Sequence, residues 1–225
     1  MEMFHGLTPE EQKALVNNSG KFKKFVASLL PARSNSVQTS EDTSWQAEWQ
    51  KFYQQIFGME VNLSEITLPP ETAGFGWLIV MAQGLTLNQA LAACKKSFST
   101  WAYSDDLNRD VSTNDRTPAD GSYAIRIRDR VEADKENKSL SADTIKERGL
   151  TTMTLLERII LELWYFSKHK KHLDLENITL CSGSCYSDGR VPYCDWRGDG
   201  FKVYWCGPDD ARDRLRARSA VSLVP

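Results

Sequence analysis

Thr154-Leu155-Leu156-Glu157-Arg158-Ile159-Ile160-Leu161-Glu162-Leu163-Trp164-Tyr165-Phe166 is the most strongly patterned stretch of this chain. Threonine followed three residues later by glutamate is a capping box. Leu155, Leu156, Ile159, Ile160, Leu163, Trp164 and Phe166 then recur at the helical period. The segment predicts a long core helix, and its apolar face needs a sheet to lie across. Lys168, Lys170 and Lys171 follow it and complement the helix dipole, so this basic run calls for no partner. His169 and His172 have no third ligand at metal spacing and read as exposed helix-end histidines.

Upstream, Tyr123, Ile125 and Ile127 alternate with Ala124, Arg126 and Arg128, the period-two pattern of a half-buried strand whose arginines face solvent or acidic neighbours. Residues 104–120, with Asp105, Asp106, Asp110, Asp115 and Asp120 at no calcium-loop spacing, read as a solvated loop. Thr86 and Gln89 form another capping box, opening a helix whose inner face is Leu87, Ala90, Leu91, Cys94 and Phe98. An apolar run from Gly74 to Met81 precedes it as one strand, and Trp101 to Tyr103 follows as another. Trp45, Trp49, Phe52, Tyr53, Ile56 and Phe57 form an aromatic helical stripe, read as core packing and ended by Gly58. Before it, Thr8-Pro9-Glu10-Glu11 starts one bent or two short helices that stop at Pro31, and Arg33 to Thr43 is a serine-rich linker. The expected organisation is an N-terminal helical arm with its linker over 1–43 and an α+β domain over 44–225.

At 225 residues, one substantial core is the natural expectation. The net charge of -2 gives no reason to expect a polyanionic partner, and no nucleic acid is expected. The start of the chain has neither a basic segment nor an apolar run, so no secretory signal is read, and the longest apolar stretch, Trp77 to Ala82, is too short to span a bilayer. Five cysteines, an odd number, suit free thiols in a reducing compartment. The expected location is cytoplasmic, with non-standard export or surface display left open.

From Cys181 onward the chain has no glutamate, glutamine, asparagine, methionine, isoleucine or threonine, while aspartate, arginine, glycine, cysteine and tyrosine are plentiful. As a strand, Phe201 to Trp205 sends Phe201, Val203 and Trp205 to one side and Lys202, Tyr204 and Cys206 to the other. Tyr193 and Asp195 are expected to join the second set from the preceding strand. Cys185, Tyr186 and Arg190 are expected on the adjoining turn, Arg197 beside them, and Asp210 and Arg212 on the next loop. A rigid face mixing tyrosine, arginine and aspartate is the composition of a paratope, because tyrosine offers large amphipathic contact area at low entropic cost. These ten residues are the candidate ligand-binding set.

The segments Thr179-Leu180-Cys181-Ser182-Gly183-Ser184 and Ser187-Asp188-Gly189-Arg190-Val191-Pro192, with the ending Leu215 to Ser222, resemble the variable proteins of diversity-generating retroelements. The likeness runs from about Gly74 to Ser222. It implies a C-type-lectin-like fold with antiparallel strands, a long core helix and additional N-terminal helices. It also implies a C-terminal region, from about residue 181, diversified at adenine-containing codons that encode tyrosine, cysteine, aspartate, glycine, serine and arginine. Lys202 does not fit such codons. The function implied is display of a recognition surface for a protein or glycan ligand, without catalysis, cofactor or metal.

Cys181, Cys185, Cys194 and Cys206 lack the paired spacings of a structural zinc module. A thiol-dependent enzyme of the formylglycine-generating type is the alternative by fold analogy, and it needs a base beside Cys181 or Cys185. A nucleic-acid-binding module built on Arg126, Arg128 and Arg130, or on Arg212, Arg214, Arg216 and Arg218, ranks last, because Asp129, Asp209, Asp210 and Asp213 interleave with these arginines.

Overall fold

The aromatic stripe, both capping boxes and both alternating runs occupy the elements expected of them in the computed structural model, which describes residues 42–224. The helices expected from Thr8 and all but the last two residues of the linker lie outside the described residues. Those last two, 42 and 43, open helix α1 (Asp42–Phe57). From Gln46 onward the chain forms one compact unit.

Trp49, Phe52 and Tyr53 of α1 are buried, and Gly58 follows with φ +68°. Tyr53 also ties α1 to the first strand, β1 (Trp77–Met81). Its hydroxyl donates to the Val80 carbonyl at 2.6 Å and accepts from the Ala82 amide at 3.1 Å. Helix α2 (Leu87–Ser97) is closed by the Thr86/Gln89 box and buries Leu87, Ala90, Leu91, Ala93 and Cys94. Thr86→Ala is expected to cost about 1 kcal/mol, the usual worth of such a cap, read from the denaturant midpoint. Phe98 caps its C-terminus and packs on Phe166 and Phe201.

Strand β2 (Thr100–Ala102), short helix α3 (Leu107–Asp110) and strand β3 (Thr113–Asn114) follow, then β4 (Tyr123–Ile127), a 3-10 turn at Lys135–Asn137 and α4 (Ala142–Glu147). Core helix α5 (Leu155–His169) begins at the Thr154/Glu157 capping box. Beyond it come β5 (Ile178–Leu180), β6 (Ser184–Cys185), β7 (Val191–Arg197), β8 (Gly200–Cys206), β9 (Leu215–Ala217) and β10 (Ala220–Ser222). The protein is therefore α+β. No helix among the described residues is long and apolar enough to cross a membrane.

Among the described residues three sheets form, ordered β1-β4-β10, β2-β8-β7-β5-β9 and β3-β6. Most pairings are antiparallel as expected, but β2 joins β8 and β5 joins β9 in parallel. Parallel neighbours need long crossovers, and intervening helices and hairpins supply them here. Helix α5 packs against α2, β1 and β7, so it lies between the two larger sheets. In β4, Tyr123, Ile125 and Ile127 are buried. The arginines of that stretch meet carboxylates as expected, Arg126 facing Glu71 at 3.6 Å and Arg128 pairing with Asp134.

Three features depart from expectation. Residues 104–120 are not simply a solvated loop, because Leu107, Val111 and Arg116 are buried. Arg116 meets Glu157 through Nε to Oε1 at 2.8 Å and an Nη to Oε2 at 2.9 Å, and Tyr123 donates to the same carboxylate at 2.9 Å. Helix α5 is buried on all sides from Leu155 to Tyr165, Glu157, Arg158 and Glu162 included. Arg158 donates to Asp174 at 2.8 and 3.0 Å and to Glu162 at 2.9 Å, while Arg218 reaches the other Asp174 oxygen at 2.7 Å. Finally, His172 is no exposed helix-end histidine. Its ring lies between Phe166 and Trp196, with centroids 4.9 and 3.4 Å away, and Nδ1 sits 3.0 Å from Glu162.

Candidate functional site

Strands β7 and β8 form a hairpin in full register from Val191↔Cys206 to Arg197↔Gly200. Its two-residue loop starts with Gly198 at φ +64°, the positive φ that primed hairpin turns require. Opposite residues of an antiparallel pair share a face, so Tyr193/Tyr204 and Asp195/Lys202 lie on one side and Cys194/Val203 and Trp196/Phe201 on the other. Cys194, Val203 and Phe201 are buried. The split expected for Phe201 to Trp205 is the split observed.

On the first face an aromatic row crosses three strands. Trp101 of β2 packs on Tyr204 at 4.6 Å between centroids, and Tyr204 stacks on Tyr193 of β7 at 5.8 Å and 22°. Arginines cover both tyrosines, Arg197 lying 5.8 Å above Tyr204 and Arg212 5.6 Å above Tyr193. Each arginine is held by a carboxylate, Arg197 by Asp195 at 2.7 Å and Arg212 by Asp210 at 2.9 Å. Trp101 is 42% exposed, Arg197 and Arg212 are exposed, and Lys202, Tyr204 and Asp210 are half-buried.

The other half of this face is closed. Ile145 of α4 belongs to one buried cluster with Ile178, Leu180, Val191, Tyr193, Cys206, Leu215 and Ala217, against which Leu140, Ala142 and Tyr204 pack. Cys206 and Tyr193 are therefore buried, and Asp195 is buried as well, which corrects the expectation that all three face water as contact residues. Tyr193 backs Tyr204, and Asp195 orients Arg197. Burial pushes the Cys206 thiol up to about 12 and raises the Asp195 carboxyl against the pull of Arg197.

Tyr186 and Arg190 do not join the row. Tyr186 is buried, and the Arg190 guanidinium lies 3.9 Å over Trp205, which points away from Tyr204. Cys185 is half-buried and lines a cleft of about 530 Å³ together with Ser182, Gly183, Ser184, Asp115 and Lys146. A side chain at Gly183 would crowd the backbone there, since an added Cβ would stand 3.1 Å from the Met153 carbonyl oxygen and 3.2 Å from that of Thr152. Of the ten candidates, the structure gathers Tyr193, Tyr204, Asp195, Arg197, Asp210 and Arg212 around one row, seats Cys206 in the closed half of the same face, and sets Cys185, Tyr186 and Arg190 elsewhere.

No family model, curated protein or solved structure matches the chain. What the site can do rests on its own chemistry. All five cysteines are free thiols. Burial raises Cys94, Cys185, Cys194 and Cys206 above their ordinary range, the opposite of what an activated nucleophile needs. Among the described residues no group of three or more His, Cys, Asp and Glu side chains is placed to hold a metal ion.

Trp101 was missed as a site residue because it lies outside the C-terminal segment, in a short strand that the sequence marks only as apolar. The parallel register Trp101↔Lys202 brings it to the row. Its signal was an exposed-side tryptophan in a strand at the edge of a sheet.

Proposed function

We propose that the protein is a binding protein, not an enzyme, and that the open half of the β2-β8-β7 face recognises a protein or glycan ligand. The observation that carries this reading is the Trp101–Tyr204–Tyr193 row flanked by Arg197 and Arg212. Trp101 and Tyr204, backed by the buried Tyr193 and held on paired strands, offer contact area with little entropy left to lose, and arginines braced by carboxylates add directed donors. We further propose a C-type-lectin-like fold of the kind found in variable proteins of diversity-generating retroelements. Support comes from β1 and β10 flanking β4 in one sheet while the other sheet presents the tyrosine- and arginine-rich segment.

The binding reading is tested on a panel of defined immobilised glycans and proteins. Trp101→Ala and Tyr204→Ala, each still folded by circular dichroism, are expected to weaken binding to any hit by about tenfold or more, as central aromatic anchors do. Hits that both variants retain at wild-type affinity would place recognition elsewhere. The retroelement reading has its own test: a template repeat copying the gene's 3′ end with adenine-directed differences, beside a reverse-transcriptase gene.

A further inference from the structure

Consecutive residues of a strand point to opposite faces, so the step from Tyr204 to Trp205 leaves the aromatic row and enters a second aromatic cluster. Trp205 and Tyr103 stand perpendicular to one another, with centroids 5.5 Å apart at 82°. Tyr186 supplies a third ring. The Arg190 guanidinium lies among them, 3.9 Å from the Trp205 centroid, 5.4 Å from Tyr103 and 5.8 Å from Tyr186. Rings disposed around a cation in this way attract it through their quadrupoles, the arrangement by which proteins recognise organic cations.

The walls are fixed by backbone contacts that do not involve the Arg190 side chain. Trp205 is locked in the β7–β8 register opposite Pro192. Tyr186 is buried in a tight turn in which its amide donates to the Arg190 carbonyl at 2.8 Å and its carbonyl accepts from the Gly189 amide at 3.0 Å. The Tyr103 amide is held by the Val203 carbonyl at 3.0 Å, and the residue is 51% exposed, so the cage borders solvent on that side.

The occupant is less well satisfied. Arg190 pairs with Asp188 at 2.5 Å, but that carboxylate is half exposed, and the buried Arg190 Nε has no hydrogen-bond partner among the described residues. A guanidinium with an unmet donor loses less on leaving than a fully bonded one.

We infer that Tyr103, Tyr186 and Trp205 form a binding cage for an organic cation, a guanidinium or quaternary ammonium group, in which Arg190 is a displaceable internal occupant. This site is separate from the Trp101–Tyr204–Tyr193 row and does not rest on the function proposed for it. Ligands bearing such a cation compete with Arg190, and residue 190 sets how open the cage is.

Calorimetric titration of wild type and Arg190→Ala, with methylguanidinium chloride for the guanidinium source and tetramethylammonium chloride for the quaternary one, tests this at constant ionic strength. The variant is expected to bind at least one cation saturably and about tenfold tighter than wild type, and Arg190→Ala/Trp205→Leu is expected to lose that binding. The stronger arm identifies the preferred source. Equal binding by wild type and variant, or no saturable binding by a folded variant, would overturn the inference. If Arg190→Ala does not fold, Arg190→Gln takes its place, with the rise of its thermal midpoint on adding either cation as the readout. No rise with either cation overturns the inference equally.

Discussion

Asp174→Ala is expected to cost about 3–5 kcal/mol of folding stability, the range for removing one partner from a buried ion network. The carboxylate is fully buried and accepts from Arg158, Arg218, the Thr179 hydroxyl and the Ala133 amide at 2.8 Å. Without it, Arg158, 0% exposed, keeps only Glu162 as a carboxylate partner, and Arg218, 1% exposed, keeps none among the described residues. A domain's whole stability is about 5–15 kcal/mol, so the loss approaches unfolding. Urea denaturation reads the effect, and the exposed Arg130–Glu136 pair is the control, with about 0–1 kcal/mol expected on its removal. A cost for Asp174→Ala no larger than the control's would mean that the network is not dry.

The same network sets a pH dependence. Burial raises the Asp174 pKa, but Arg218, Arg158 and the Thr179 hydroxyl outweigh it, and the folded value lies below the ordinary one. A depressed carboxylate contributes stability that is complete above its unfolded pKa, about 4, and is lost as pH falls through the folded value. Asp195 runs the other way. Its pKa is raised, so its ionisation works against folding above the ordinary carboxylate range, and protonation on acidification relieves that cost.

Arg116→Ala is expected to cost a similar amount, about 3–5 kcal/mol, because it strands Glu157 at the buried start of α5. Tyr123 and the Thr154 amide still donate to that carboxylate, at 2.9 and 2.7 Å, but neither brings a positive charge. Arg116→Ala/Glu157→Gln is expected to recover part of the loss, since no buried charge then lacks a partner. Thermal midpoints of the single and double variants measure both effects. A double variant less stable than Arg116→Ala would show that hydrogen-bond geometry, not charge, limits the site.

These residues mark where the sequence stopped being legible. The α1 stripe, the boxes at Thr86 and Thr154 and the alternation of Tyr123–Ile127 and Phe201–Trp205 could be read because each is set by neighbours within one or two turns or strand steps. Arg116 could not, since its partner lies 41 residues away and its own segment has the composition of a solvated loop. Nor could Arg158 and Glu162, which look like the polar side of an amphipathic helix until Asp174, Arg218 and His172 enclose them. At the candidate site, alternation correctly paired Tyr193 with Tyr204 on one face. Which tyrosine stays wet was decided by α4 closing half of that face, and the place of Tyr186 by a turn that alternation does not govern.

The placement of β10 beside β4 has a kinetic consequence. Ala220 pairs with Ile127 and Ser222 with Ile125, so the β1-β4-β10 sheet is completed only by bringing together segments nearly a hundred residues apart. Arg218, two residues before β10, docks on Asp174 in the same movement. Closing so long a loop costs entropy before any native contact repays it, and chains dominated by such distant pairings fold in about milliseconds to seconds, slower than helical bundles of like stability. Asp174 has both of its arginines only once Arg218, at the threshold of β10, is in place, so the buried ion network and the closure of this long loop depend on each other.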